Sequence, residues 1–330
     1  MVQLDGTASV DLLVLGAGWT ASFLLPHLRA EHPHISFAAT TRDGRNGTIR
    51  WAFDPERDGK EQFAALPRAK TVVVVFPIRG EGGSRRLVTG YEEAVGQRVR
   101  WVQLGSSGIY DGGPTLAALA VKAAAASSDS EKLPLAHSPL EWTTRHSPYD
   151  RTNARAIAED ELLGQHTDTV VLNLVGLWGG ARNPSNWIAR IAPTFEALEA
   201  KGSVHLVHGL DVARAIVAVH LAPSLPTGSG ESAATSGRGQ RWIVSDLRVY
   251  DWWDLVAAHP GSSTSVAPAA TADSEPSPPR AKWVQQLLKK HDVRGLPRSA
   301  VELGRAIDAR EFWEAFELAP VKGRWEEARA

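Results

Sequence analysis

The 330 residues contain no cysteine, which excludes a disulfide framework, a thiol nucleophile and a cysteine-ligated metal. Surplus charge is missing as well: 36 lysines and arginines stand against 37 aspartates and glutamates, a net charge of −1. That balance gives no general attraction to nucleic acid or to an anionic membrane, so neither is expected as a partner. No apolar stretch runs far enough without a charge to cross a bilayer, and the N-terminus has no leader pattern; the expected location is cytoplasmic. Histidine, aspartate and glutamate do not fall at metal-ligand spacing, so no metal is expected. Tyrosine is scarce, at four, whereas tryptophan reaches twelve. The tryptophans are scattered along the chain, as packing residues are, and do not form a stacking platform for bases.

What is present begins with the run Asp11-Leu-Leu-Val-Leu-Gly16-Ala-Gly18-Trp19-Thr20-Ala21. A short apolar run of this kind reads as a strand buried on both faces of a parallel sheet, and a glycine turn follows it directly. Gly16 permits the tight turn, Gly18 lets the backbone approach a diphosphate, and Ala21 is small enough for a helix to pack closely on the strand. The next helix would aim free N–H groups and its positive dipole end at the phosphates. Glycine turns also occur as plain bends, but a strand before and an amphipathic stretch after favour nucleotide binding here.

The second strand decides which nucleotide. Ile35-Ser-Phe-Ala-Ala-Thr-Thr41-Arg42 ends without the acid that would accept from a ribose 2′-hydroxyl. Thr41 and Arg42, with Arg45 close behind, suit a 2′-phosphate, and a guanidinium forks onto phosphate oxygens and stacks on adenine. NADP(H) is therefore preferred over NAD(H), with NAD(H) left open; the plain alternative is a solvated turn arginine.

Strand and helix signals then alternate as a doubly wound sheet requires. Thr71–Phe76 is followed by Pro77, Trp101–Leu104 by the turn Gly105-Ser106-Ser107-Gly108-Ile109-Tyr110, and Thr169–Val175 by Gly176-Leu-Trp-Gly-Gly180. All three strands would end on the edge that carries the glycine turn, where ligands of open α/β sheets bind. Phe76, Pro77, Ser106, Ser107 and Val175 join Trp19 and Thr20 as cofactor-contact candidates on that ground. The expected architecture is an α/β Rossmann fold over residues 1–180. Residues 181–330 would form a small C-terminal α/β lobe interleaved with the sheet's last strands. Residues 223–240 and 260–281 are too poor in large apolar side chains to fold alone and read as mobile loops. Between them Arg241–Ser245 reads as a strand and Tyr250–Ala258 as a helix; Leu116–Ala126, Trp283–Leu288 and Ser299–Leu318 have helical composition or spacing.

Taken in order, Gly16-x-Gly18-x-x-Ala21, Leu104-Gly-Ser-Ser-Gly-Ile-Tyr110, Arg155-Ala-Ile-Ala-Glu159, Val175-Gly-Leu-Trp-Gly-Gly-Ala-Arg182 and Val207-His-Gly-Leu-Asp211-Val-Ala213 resemble the motifs of the extended short-chain dehydrogenase/reductase superfamily. The likeness is to its atypical NAD(P)-dependent epimerase/dehydratase-like members and spans about residues 10 to 220. It implies a nicotinamide cofactor that exchanges a hydride, a tyrosine whose pKa is lowered by a lysine four residues later, and an assisting hydroxyl, here Ser106.

The tyrosine and lysine are where the chain departs. Aligned on Glu159, Arg151 takes the tyrosine position and Arg155 the lysine position. Arginine stays protonated and cannot act as a general acid, but it holds anions: Arg155 is assigned to the cofactor, Arg151 and Arg182 to the substrate. Tyr149 and Tyr110 are candidate replacement acids beside Ser106. Pro148 marks an expected helix start, which would leave Tyr149 on the first turn or in the loop. His146 is a further titratable candidate, a solvated loop histidine being the plain alternative. Asp211 is expected to cap a helix and His208 to pack structurally. Two functions follow from the resemblance. One is an NADP(H)-dependent oxidoreductase or epimerase/dehydratase-like enzyme, monomer or homodimer, with a small-molecule substrate; the other is a non-catalytic NADP(H)-binding regulator or sensor.

Overall fold

The computed structural model describes residues 9–111, 142–165, 168–223, 239–259, 280–323 and 325. Its centre is a seven-stranded sheet built from β1 (Ser9–Leu15), β2 (Phe37–Thr41), β3 (Ile49–Arg50), β4 (Arg68–Val74), β5 (Arg100–Ser106), β6 (Thr169–Leu174) and β10 (Gln240–Val244). The spatial order is β10-β6-β5-β4-β1-β2-β3, and every pairing is parallel. Parallel strands covered on both faces must be apolar throughout, and β6 meets that demand with all six residues buried.

Helices cover both faces. On one, α1 (Ala21–Glu31) buries Leu24 and Leu28 and packs beside α6 (Gly209–Leu221). On the other, α2 (Gly83–Val95) sets Leu87, Val88, Tyr91 and Val95 against the sheet, next to α3 (Ala154–Leu163). Leu12 and Leu13 are fully buried toward opposite faces, each contributing about 2 kcal/mol of transfer free energy.

A third core is richest in tryptophan: Trp178, Trp252, Trp253 and Trp325 pack with Leu198, Leu206, Val284 and Leu287. Two small sheets frame it. β7 (Gly176–Trp178) pairs in parallel with β9 (Leu206–His208), and β8 (Ser203–Val204) pairs antiparallel with β11 (Tyr250–Asp251). Helices α4 (Ile188–Ile191), α5 (Phe195–Glu199), α7 (Trp252–Ala258) and α8 (Arg280–Lys290) complete the region, and after α9 (Ala300–Leu303) the chain returns to the main sheet, where α10 (Arg310–Ala315) packs Phe312 and Trp313 beside β10.

Several expectations shift at this scale. β4 ends at Val74, before Phe76 and Pro77, which turn into the loop beyond it. Tyr250 and Asp251 leave the expected helix and pair with β8. Ser299–Leu318 divides into α9 and α10, separated at Gly304, whose φ of 71° ends the first. The helix expected from Pro148 starts at Ala154, capped by the Asn153 side chain, which accepts from Arg155 N at 2.9 Å. Of the two expected mobile loops, Gln240 belongs to β10 and Arg280 and Ala281 to α8; residues 224–238 and 260–279, like Leu116–Ala126, lie outside the described residues. Asp211 does not cap α6. His208 does, accepting from Leu210 N at 3.1 Å, while Asp211 accepts from Val321 N and Lys322 N and so ties down the chain near its end.

Candidate functional site

β1 delivers the chain to the sheet's carboxyl edge, where Gly16 takes φ = +87°. A Cβ there would also lie 3.1 Å from the Phe76 ring, so both backbone and space ask for glycine. Gly16 N donates to Thr40 Oγ1 at 2.9 Å and Ala17 N to Thr40 O at 2.7 Å, which locks the turn onto the end of β2. Gly18 differs. A Cβ there would meet nothing closer than Gly16 O at 4.0 Å, so the missing side chain leaves open room beside the start of α1. That helix has no acidic residue in its first turn and no side-chain cap; Ala21 N, Ser22 N and Phe23 N donate to Gly18 O, Trp19 O and Thr20 O, so the amides left to meet an anion at the positive helix end are those of Trp19 and Thr20.

A cleft of about 1180 Å³ opens above this turn. Gly16, Gly18, Trp19, Thr20, Thr41, Arg42, Phe76, Pro77, Arg155 and Arg182, all expected site residues, line it. Ala21 does not; it is buried where α1 meets the sheet. At the β2 end Arg42 and Arg45 are exposed, and the nearby acid, Asp43, is already paired with Arg45 Nη1 at 3.1 Å. Thr41 Oγ1 shapes this corner by bonding Thr48 Oγ1 at 2.6 Å and accepting from Gly44 N. Trp51 and Phe53 also line the cleft, their rings stacked at 6.3 Å, with Phe53 stacked on Phe76 at 6.0 Å. The sequence reading missed this aromatic wall, although an aromatic pair two residues apart, just after β3, was a visible signal.

Arg182 comes to the cleft from far along the chain. Trp19 Nε1 donates to Gly179 O at 3.0 Å, and the Arg182 guanidinium lies 4.5 Å from the Trp19 ring centroid. The loop after β7 is thereby fastened over the glycine turn. Gly179, at φ = +110°, has no room for a side chain because His208 Nε2 would sit 2.4 Å from its Cβ. Arg155 reaches the other end, donating from Nη2 to Leu104 O at 3.0 Å and lying 3.8 Å from Glu159. Burial lowers its pKa, which for a guanidinium still leaves a cation. The amides of Trp19 and Thr20 just before α1, room at Gly18 and basic groups at both ends form a donor set that fits the phosphates and ribose of a dinucleotide.

Next to the cleft, and sharing Leu174 with it, lies a second hollow of about 300 Å³. Ser106, Ser107 and Val175 line it together with Asp111, Ser203, His205, Arg305 and Ile307, of which the last five did not figure among the expected residues.

The structure does not gather the remaining candidates at either site. Tyr110 is 3% exposed and its hydroxyl donates to Arg145 O at 3.3 Å; burial drives its pKa upward. Tyr149 lies in the loop before α3 with its hydroxyl on Asp160 Oδ1 at 2.7 Å, and burial and that bond raise its pKa as well. Arg151 is exposed, 5.8 Å from the Tyr149 ring centroid. His146 pairs with Glu311 at 3.0 Å. Beneath these residues runs a buried polar network that the sequence did not reveal. Glu159, 2% exposed, accepts from Ser106 N and from Asn173 Nδ2 and is paired with Arg241, which also reaches Asp160 at 2.7 Å. Among the described residues no group of three or more histidine, aspartate and glutamate side chains is placed to hold a metal ion, and no helix is long and apolar enough to cross a membrane.

No family model matches the chain, and no curated protein matches it. Solved structures do. A functionally unknown conserved protein from Silicibacter pomeroyi is 14% identical and aligns over 97% of this chain and 100% of its own, with a TM-score of 0.52. MoeE5 in complex with UDP-glucose and NAD is 17% identical over 96% of this chain and 95% of its own, at 0.49. The Bordetella bronchiseptica enzyme WbmG in complex with NAD is 12% identical over 98% and 95%, also at 0.49. At such identities the likeness is one of fold. The chain has the Rossmann-type α/β fold, a parallel sheet between two layers of helices, that its motif order implied for an extended short-chain dehydrogenase/reductase.

Proposed function

We propose that this chain is an NADP(H)-dependent oxidoreductase or epimerase/dehydratase-like enzyme of the atypical extended short-chain dehydrogenase/reductase type, acting in the cytoplasm on a small molecule as a monomer or homodimer. One observation carries the reading: the glycine turn, the arginines at the β2 end and the Ser106 hollow lie along one sheet edge, with Leu174 common to cleft and hollow. In this reading the α1 N-terminus, Trp19, Thr20 and Arg182 hold the diphosphate, Thr41, Arg42 and Arg45 hold the adenosine phosphate, and Trp51 and Phe53 flank the adenine. A nicotinamide, when bound, supplies or accepts a hydride.

The chain's own residues supply position and charge. Ser106 Oγ accepts from Gly108 N at 3.1 Å, which leaves its O–H free to donate to a substrate oxygen. Arg155, fixed on Leu104 O, brings a permanent positive charge to the same strand end, which stabilises a developing oxyanion without supplying a proton. Proton exchange then falls to solvent or to the substrate, because the hydroxyls of Tyr110 and Tyr149 are engaged elsewhere.

That engagement is also what supports the second reading, a non-catalytic NADP(H)-binding sensor. Titrating NADPH and NADH by tryptophan fluorescence, followed by single-turnover absorbance with a panel of carbonyl compounds, separates the two. The enzyme reading expects NADPH to bind more tightly than NADH and to be consumed. It also expects Ser106→Ala to abolish consumption while leaving NADPH affinity nearly unchanged. Binding with no consumption on any carbonyl removes the net-reductase form of the enzyme reading, and if isotope exchange from a substrate C–H into bound cofactor is absent as well, the epimerase/dehydratase form falls too and the sensor is favoured; equal affinity for both nucleotides removes the role given to Arg42.

A further inference from the structure

Arg305, contributed from beyond α9, stands in the hollow beside Ser106 and is the cation among the described residues lining it. Its Nη1 is paired with Asp111 Oδ1, its Nη2 donates to Ser107 O at 3.3 Å, and its Nε has no hydrogen-bond partner. The two members of the ion pair differ in setting: the arginine side chain is 23% exposed, the aspartate 59%. Partial burial raises the Asp111 pKa, yet the aspartate still reaches water more readily than the guanidinium, which being largely buried has the greater need of an anion beside it.

The other polar groups of the hollow are donors. Ser203 Oγ is buried without a partner, and Ser106 keeps its O–H. His205 is 4% exposed, and its Nε2 accepts from Ile307 N at 3.0 Å, which puts the ring proton on Nδ1. Burial and the nearby Arg305 lower the His205 pKa to about 3, so the ring is a neutral donor near neutral pH. Asp111 is the carboxylate among the described lining residues. Asp111 apart, each of these side chains can donate a hydrogen bond toward a space of about 300 Å³, the size of a small metabolite site.

We propose that this hollow binds a small substrate bearing a carboxylate, which takes the place of Asp111 on Arg305 while a hydroxyl or carbonyl oxygen of the same molecule meets Ser106. A guanidinium receives a carboxylate on two parallel N–H bonds, and Arg305 has an unused Nε beside the Nη1 that Asp111 would release, while Nη2 stays on Ser107 O. Once Asp111 has turned out to water, the one guanidinium balances one carboxylate charge. A phosphate dianion would leave a charge uncompensated close to Asp111. The inference rests on the reading of the adjoining cleft as the dinucleotide site, since it places the substrate beside it.

The test is ligand-observed NMR on the full chain, with and without saturating NADPH, using acetate, lactate and pyruvate, the matching amides acetamide, lactamide and pyruvamide, and inorganic phosphate. The expected result is binding of the acids at least tenfold tighter than of their amides. Asp111→Asn, at an exposed position, should tighten acid binding severalfold by releasing Arg305. Arg305→Gln should remove acid binding while NADPH affinity, measured on the same preparation, stays unchanged and so reports an intact fold. Amides binding as well as acids, phosphate binding more tightly than any acid, no measurable binding of the three acids, or no tightening in Asp111→Asn each overturns the proposal. Failure of NADPH to bind would instead strike the cofactor reading, and the titrations without nucleotide still decide the matter of the hollow.

Discussion

The amide of Ser106 donates to Oε1 of Glu159 at 3.2 Å, so the residue that ends β5 hangs on a buried carboxylate from α3. The same carboxylate accepts from Asn173 on β6 and balances Arg241 on β10, so one side chain ties three strands together. Gly105 is the condition for this. A Cβ there would lie 2.5 Å from Asn173 Nδ2 and 2.7 Å from Glu159 Oε1.

Glu159→Ala should therefore destabilise the fold by about 3 kcal/mol, because it leaves Arg241 short of one counter-charge, Ser106 N without an acceptor and Asn173 Nδ2 with Ser106 O alone. Glu159→Gln should cost less, since it keeps an acceptor and Arg241 retains Asp160. Gly105→Ala should resemble Glu159→Ala, by steric exclusion. Urea unfolding checks this; a loss below about 1 kcal/mol in Glu159→Ala would show that the network is not holding the edge.

How legible this was in the sequence differs residue by residue. Gly16 and Gly18 were legible because a phosphate loop is local: strand, turn and helix are consecutive in the chain. Arg182 was visible as a cation for the site, but not its approach to Trp19, which spans more than 160 residues and depends on the bond from Trp19 to Gly179. Arg241 read only as part of a strand; that it faces Glu159 follows from β10 pairing with β6, a topological fact that periodicity does not carry. Tyr149 fell in the loop, one of the two placements its neighbour Pro148 allowed, but its bond to Asp160 is tertiary. Arg305, His205 and Ser203 carry no motif and meet only in three dimensions.

The two glycines of the first turn should separate fold from function. Gly16→Ala forces a side chain into φ = +87° against Phe76, and should lower stability by about 1–3 kcal/mol. Gly18→Val meets open space, so unfolding should change little while nucleotide binding is lost, the new methyl groups filling the room a diphosphate requires. Thermal unfolding and fluorescence titration, run on both variants, check the contrast. Equal loss of stability in the two would show that Gly18 is structural.

Arg42 and Arg182 should likewise part company. Arg42 lies at the β2 end, so Arg42→Ala should weaken NADPH by about tenfold and NADH hardly at all. Because Arg42 is exposed, added salt should shrink this difference. Arg182, stacked on Trp19 above the glycine turn, faces what both nucleotides share, and Arg182→Ala should weaken both by a similar factor. A loss confined to NADPH in Arg182→Ala would move that residue to the adenosine end.

Asp246 supplies a dependence on pH whose sign is fixed by its surroundings. The residue is 3% exposed just after β10, and burial raises its pKa from 3.8 to about 7 despite bonds from Tyr250 Oη at 2.6 Å and Arg248 N at 3.1 Å. The folded state thus binds the proton more tightly than the unfolded one. Below the unfolded pKa both states are protonated and this contribution to stability is complete. As pH rises toward the folded value the unfolded chain ionises first, and stability falls by up to about 1.4 kcal/mol per pH unit before levelling off. Asp246→Asn cannot ionise and keeps an oxygen for Arg248 N, so its stability relative to the native chain should rise between about pH 4.5 and pH 8. Urea midpoints at the two ends of that range decide it: a native-minus-variant difference that is the same at both would mean that Asp246 is ionised in the fold throughout.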